Sequence, residues 1–275
     1  MNKAEIIYSV TEESGEARDN VIPFIAYHTP APKRCLDMLL AKYYGEKFCS
    51  EVKMPVPEKH VTPVLSVPLA AARIMMVTDG GLVPKGNPDC LPPSNAREFH
   101  AYGFGFAERF KAEEYEVSHQ GYDHGDVDED PNRLLPLDIL REMTRAGEIG
   151  GVYPRFLSTT GVMMPSETAR RIGREIAVRV SACSIDAVLI VSTCGTSTRC
   201  GACIALALED RGIPAVQITN LTEIAWSMGV RHVEKGASVG SPVGFAGGTP
   251  TAAAHRLLGA AQAVRGLCLD VPDDA

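Results

Sequence analysis

The stretch Asp186 to Ala202, DAVLIVSTCGTSTRCGA, decides the fold. Ala187 to Val191 is a short, unbroken apolar run, the composition of a strand buried on both faces of a parallel sheet. The polar turn Ser192 to Ser197 follows, and the spacing then predicts a helix from Arg199 to Asp210, with Gly212 at the stop position and Pro214 just beyond it. Ala215 to Thr219 supplies the next strand. This is a βαβ unit, and it sets Cys194 at the carboxyl end of its first strand, where open α/β sheets bind ligands.

That place suits a thiolate. The unpaired N–H groups of a helix's first turn point at a strand–helix turn, and the helix dipole favours negative charge there. A cysteine so placed can ionise well below the free value of about 8.5 and act as a nucleophile near neutral pH. Gly195 lets a ligand approach the backbone, while Thr196, Ser197 and Thr198 add hydroxyls. The same turn would also cradle an anion, and an ordinary buried cysteine is the plain alternative.

Cys200 and Cys203, with Ile204, Ala207 and Leu208, follow the spacing of a helix's buried stripe, which reads Cys203 as a core residue. Cys200, in the first turn of the predicted helix, is the candidate resolving thiol for Cys194. A zinc or iron–sulfur site would need a fourth ligand that the neighbouring sequence does not supply, so no metal is expected.

Working outward, 275 residues can bury a sizeable core as one large domain or two small ones. No apolar run is long enough to span a membrane, and the first ten residues lack the charged and hydrophobic regions of a secretory signal. The eight scattered cysteines fit reduced thiols in a cytoplasm better than a disulfide framework. A net charge of −7 without a Lys/Arg cluster argues against nucleic acid as a partner.

Residues 1–60 read as an N-terminal arm, with a short strand over Ile6 to Val10, a polar loop over Glu12 to Asn20 and a helix over Pro32 to Tyr44. Leu36, Leu39, Leu40 and Tyr43 share one face of that helix and Gly45 ends it; Cys35 and Cys49 are packing residues in this reading. Prolines at 55, 57, 63 and 68 mark an extended linker. The rest, 61–275, reads as the main domain, with two sub-halves near 61–150 and 151–275. In the first, Arg73 to Val77 is a core strand ending in Thr78-Asp79-Gly80-Gly81, which repeats in outline the strand and turn at Cys194. Asp79 and Gly80 are candidate ligand contacts, with a simple turn cap as the alternative for Asp79.

Val117 to Arg133, VSHQGYDHGDVDEDPNR, is the second dense polar stretch. Asp126, Asp128 and Asp130 alternate as in a calcium loop, but Pro131 stands where glycine is needed and Leu137 where the closing glutamate belongs, so calcium is rejected. His119, Tyr122, Asp123 and His124 are candidate acid–base or hydrogen-bonding groups. Further helices are predicted over Pro136 to Ala146 and, capped by Ser166, around Ala169, Ile172, Ile176 and Val180, with a strand over Val152 to Leu157 between them. Glu223 brings a carboxylate near the end of the Ala215 to Thr219 strand. Gly236 to Gly248 lacks the Gly-Lys-Ser/Thr of a phosphate-binding loop and reads as a mobile or ligand-facing loop, and Thr249 and Pro250 open a closing helix.

Two stretches resemble the selenoprotein B family of glycine, sarcosine, betaine and D-proline reductases. One is SHQGYDHGDVDEDPNRLLPLDILREMTRAGEI, similar to a block of the D-proline reductase selenoprotein subunit; the other is DAVLIVSTCGTSTRCGA followed by RGIPAV. VTDGGLVPKG and SVGSPVGFAGG are compatible with weaker family signatures. The resemblance covers roughly residues 62 to 250 and leaves the first sixty outside. It implies that Cys194 stands at the selenocysteine position, attacking a substrate carbon and cleaving a carbon–nitrogen bond. It also implies a thiol reductant, no cofactor in this chain and a pyruvoyl group on a partner subunit. The family's cysteine three places after selenocysteine is Ser197 here, and Cys200 matches a further cysteine of the glycine-reductase branch.

The expectation is therefore an α/β protein with a parallel sheet in three layers, two pseudo-similar halves and an N-terminal helical arm. It is a cytoplasmic homo-oligomer and a thiol-dependent oxidoreductase of the glycine/D-proline reductase type, acting on a small amino-acid-like substrate. Cys194 is the nucleophile, Cys200 the resolving thiol, and His119, Asp123 and Glu223 the proton-transfer or orienting groups. Asp79, Gly80, Tyr122, Gly195, Thr196, Ser197 and Thr198 line the substrate. Two alternatives stay open: a cofactor-independent amino-acid or hydantoin racemase, and a non-catalytic subunit of a reductase complex.

Overall fold

The computed structural model describes residues 29–47, 61–245, 259 and 262–268. The expected strand over 6–10, the loop over 12–20, Cys49, residues 246–248 and most of the closing helix lie outside the described residues. The chain divides into two units, Met1–Val56 and Pro57–Ala275. In the first, α1 spans Ala31–Tyr44, with Pro32 in its opening turn and Gly45 at its end with φ 71°. Its apolar face is the one the spacing predicts, and Leu36, Leu39, Leu40 and Tyr43 are exposed there.

The second unit is built on a six-stranded sheet. Its strands are β1 (Arg73–Thr78), β3 (His100–Gly103), β5 (Gly151–Ser158), β6 (Ala187–Val191), β7 (Ala215–Thr219) and β8 (Val233–Lys235). They stand in the order β3-β5-β1-β6-β7-β8, all parallel except β3, which runs antiparallel to β5. Two short strands, β2 (Leu82–Pro84) and β4 (Tyr115–Val117), pair antiparallel beside it. Every residue of β6 and β7 is buried, as two covered faces demand. The register of β1 against β5 slips between Ile74 and Met76, opposite the segment that holds Pro154, whose missing N–H could not serve a regular ladder.

Helices α2 (Gly125–Glu129) and α3 (Leu137–Arg145) lie between β4 and β5; α4 (Ser166–Ser181) joins β5 to β6, α5 (Gly195–Glu209) joins β6 to β7, and α6 (Thr222–Ser227) joins β7 to β8. The connection from β1 to β5 crosses the sheet in the opposite sense to those from β5 onward. Right-handed crossovers then place α3 on one face and α4, α5 and α6 on the other, which gives three layers. The parallel strands read 2-1-3-4-5 in chain order, so the order reverses between β1 and β6. That reversal is where an open sheet leaves a crevice at its carboxyl edge. Thr78 Oγ1 donates to the Val191 carbonyl at 2.8 Å and ties the two strand ends together.

Two boundaries differ from the sequence reading. Ser166 is the first residue of α4 and makes no capping bond, Pro165 holding the cap position. Helix α5 starts at Gly195, four residues before the predicted start at Arg199, so the polar turn is helical and Cys194 is its N-cap. The buried stripe of α5 includes Cys200, Cys203, Ile204, Ala207 and Leu208, and α4 presents Ala169, Ile172, Ile176 and Val180 to the core. The two helices meet so closely at Gly173 that a Cβ there would stand 2.6 Å from the Cys203 carbonyl oxygen. Gly173→Ala should therefore force the helices apart and cost about 1–3 kcal/mol, read as a lower urea midpoint with unchanged slope.

Candidate functional site

Cys194 caps α5 with φ −70° and ψ 179°, and its carbonyl accepts the first helical bond from Thr198 N–H at 2.8 Å. The N–H groups of Gly195, Thr196 and Ser197 in the first turn have no intrahelical carbonyl to reach, so the positive end of the helix lies at half-buried Cys194, whose side chain makes no capping bond to them. Cys194 Sγ lies 3.4 Å from Ser197 Oγ and 3.7 Å from Thr196 Oγ1. Thr196 Oγ1 in turn accepts the Met163 N–H at 3.2 Å, from a residue held at φ 59°. Gly161 gives Ser197 its room, since a Cβ on it would come within 2.6 Å of Ser197 Cα.

His119 reaches the same serine from the opposite wall. Its Nε2 lies 2.9 Å from Ser197 Oγ, and its Nδ1 accepts the Gly121 N–H at 3.0 Å. An Nδ1 that accepts carries no proton, so the neutral ring's hydrogen sits on Nε2 and points to Ser197. Burial, reinforced by the charge of His124, lowers the imidazole to about 4, which keeps it neutral at pH 7. The Tyr122 ring packs 4.7 Å from the imidazole, and Tyr122 Oη donates to the Gly80 carbonyl at 3.0 Å. Burial drives that phenol well above its ordinary range, with Asp79, Asp128 and Cys194 adding negative charge around it.

Beside the thiol's turn lies a buried polar layer. Asp79 has no exposed surface; it accepts the Ser192 hydroxyl and, at 3.3 Å, the Thr193 N–H. Gln217 Nε2 donates to Ser192 Oγ at 2.8 Å and to the Thr198 carbonyl at 2.9 Å, while Thr198 Oγ1 meets Thr219 Oγ1 at 2.8 Å. Desolvation raises the Asp79 carboxyl well above the usual range, against the opposing pull of these donors.

The structure thus gathers Cys194, Gly195, Thr196, Ser197, His119, Tyr122 and Gly80 at one end of β1 and β6. Five other expected residues make no hydrogen bond with the thiol. Asp79 is sealed under the turn, bound to Ser192 and Thr193, and presents nothing to a substrate. That burial also removes the facing group a racemase would need on this strand end. Cys200 is fully buried with Sγ 3.5 Å from Met164 Sδ, and burial pushes its thiol well up. Six residues of helix set it about 9 Å along the axis from Cys194, outside the reach of a disulfide. Asp123 is exposed and accepts the Gly125 N–H at 3.1 Å, a local turn bond. Glu223 is exposed in the first turn of α6. Thr198 faces inward to the polar layer.

Sequence reasoning missed Ser192, Gln217 and Gly161. Gln217, a lone amide inside the apolar strand Ala215–Thr219, was the available signal, because a buried amide must find partners. Among the described residues no group of His, Cys, Asp and Glu is placed to hold a metal ion, no helix is long and apolar enough to cross a membrane, and all cysteines are free.

Residues 2–193 match the family of glycine/sarcosine/betaine reductase selenoprotein B. The match begins at residue 2, so the first sixty residues, expected to fall outside the resemblance, belong to it. The chain is 36% identical over 212 residues to glycine reductase complex component B subunit gamma of Carboxydothermus hydrogenoformans, covering 77% of this chain and 49% of that protein. It is 36% identical over 215 residues to betaine reductase complex component B subunit beta of Peptoclostridium acidaminophilum, covering 78% and 49%. With D-proline reductase subunit gamma of Acetoanaerobium sticklandii it shares 32% identity over 132 residues, covering 46% and 54%. The chain spans about half the length of these curated relatives. No solved structure matches it.

The buried neutral imidazole makes a stability prediction. An unfolded histidine titrates near 6.5, so between that pH and about 4 the unfolded chain binds a proton that folded His119 refuses. Folding stability therefore falls on acidification through this window, by up to about 1.4 kcal/mol per pH unit from this group. His119→Gln removes the titration, so the wild-type advantage over this variant should shrink as pH drops from 7 to 4.5. Urea midpoints across that range check it.

Proposed function

The chain belongs to the glycine/sarcosine/betaine reductase selenoprotein B family, and we propose that it is a thiol-dependent reductase component in which Cys194 takes the selenocysteine role. The observation that carries this reading is the half-buried thiol at the N-cap of α5, set at the strand-order reversal, at the positive end of the helix and beside the Ser197 and Thr196 hydroxyls. These groups favour a thiolate and can hold the carboxylate of an amino-acid-like substrate beside it. The glycine, betaine and D-proline named for the relatives define the substrate class to try.

In the proposed chemistry the Cys194 thiolate attacks the carbon next to the substrate carboxylate. An S–C bond forms as the C–N bond breaks, and the amine leaves with the bonding pair and takes up a proton. A second thiol then attacks the sulfur; the S–C bond breaks, the carbon takes a proton, and a disulfide remains. Two thiols are oxidised for each C–N bond reduced. Cys200 is sealed away and Ser197 carries no sulfur, so the second thiol comes from an external reductant. A pyruvoyl-bearing subunit and further copies of this chain are proposed companions, in a reducing cytoplasm.

The full chain, purified with its accompanying subunits, is incubated with glycine, sarcosine, betaine or D-proline and excess dithiol. Wild type should open the C–N bond of at least one, releasing the amine or the ring-opened amino acid, and trap on Cys194 a carboxymethyl group from glycine, sarcosine or betaine, or the ring-opened chain from D-proline. Cys194→Ala should fold normally and lose turnover at least about 100-fold. Unchanged turnover in the variant overturns the nucleophile. Neither turnover nor adduct with any of the four leaves the non-catalytic subunit as the reading.

A further inference from the structure

We infer that His119 and Ser197 form a fixed hydrogen-bond relay that stabilises the Cys194 thiolate, with His119 acting as a neutral donor and not as the base. The inference rests on the reading of Cys194 as nucleophile and assigns two positioning residues to it.

Gly121 N–H occupies His119 Nδ1 at 3.0 Å, which leaves the ring hydrogen on Nε2, 2.9 Å from Ser197 Oγ. Ser197, accepting from His119, stands 3.4 Å from Cys194 Sγ. In the thiol form the sulfur donates to the serine; once the thiol is ionised, the serine hydroxyl turns its own hydrogen to the sulfur. Both ends are locked, Ser197 by the first turn of α5 against Gly161 and His119 by Gly121 and the Tyr122 ring. Tyr122 and His124 are the titratable groups beside the imidazole, and Cys194 lies beyond Ser197. A ring whose Nε2 already carries hydrogen cannot take a proton there, which separates this arrangement from an imidazolium–thiolate pair.

Alkylation of Cys194 by iodoacetamide tests the relay without any substrate. Rates are taken between pH 6 and 9 on the full chain and followed by peptide mass spectrometry. Ser197→Ala should slow modification at pH 7 about tenfold or more, the scale of one hydrogen bond to a charged group. His119→Phe, which removes the donor, should slow it similarly. His119→Gln, whose amide can donate from the Nε2 position, should restore the rate and pH profile to within about twofold. A Ser197→Ala rate equal to wild type overturns the relay. So does a His119→Gln rate as slow as His119→Phe, which would make the imidazole a proton acceptor. If His119→Phe does not fold, Ser197→Ala decides alone. Failure here with Cys194→Ala still inactive rejects the relay alone, whereas loss of the nucleophile reading shows in the turnover assay.

Discussion

A carboxyl group with no exposed surface, Asp79, joins the ends of the two central strands. It closes β1 and takes up the Ser192 hydroxyl and Thr193 N–H that follow β6. Gln217 from β7 continues the layer to the Thr198 carbonyl inside α5. The start of α5 is therefore held from below by three strands. A carboxyl so deeply desolvated is tolerated because donors meet it, and the same donors leave the Cys194 turn little freedom. Small residues complete the fit: a Cβ on Gly201 would come within 2.6 Å of Asp79 Oδ2 and Gln217 Nε2.

On this base the site is organised by dipoles and neutral donors. The hydrogen bonds of Cys194 are made with Ser197 and Thr196, neither of which carries charge, and Arg199 spends its guanidinium on the Met164 carbonyl at 2.7 Å. The helix dipole is aligned before a negative charge develops, so ionisation of the thiol asks only that the Ser197 hydroxyl turn.

Much of this was legible in the sequence. The apolar runs at Arg73 and Ala187, and the run at Ala215 broken by Gln217, read as buried central parallel strands, and the turn after the second put a cysteine at the sheet's carboxyl edge. His119 and Tyr122 were found in a dense polar block whose other members, Asp123 and Asp126, serve local turns and a contact to Ser241. Residue type alone cannot separate these, because a loop's route determines which side chains meet the sheet edge. The early start of α5 was hidden by its composition: Gly195, Thr196, Ser197 and Thr198 are poor helix formers individually, yet their hydroxyls find partners in the cluster and in Thr219. Cys200 misled for the converse reason. Its spacing suited a redox partner, but the helix carries it into the core against Met164.

Serine at position 197 has one more consequence. When an oxidant converts a cysteine to sulfenic acid, an adjacent thiol ordinarily traps it as a disulfide before further oxygen is added. Beside Cys194 the partner is a hydroxyl, which cannot do this, and Cys200 is buried elsewhere. Within this chain, exposure to peroxide would thus leave a Cys194 sulfenic acid open to further oxidation until a thiol from outside reached it.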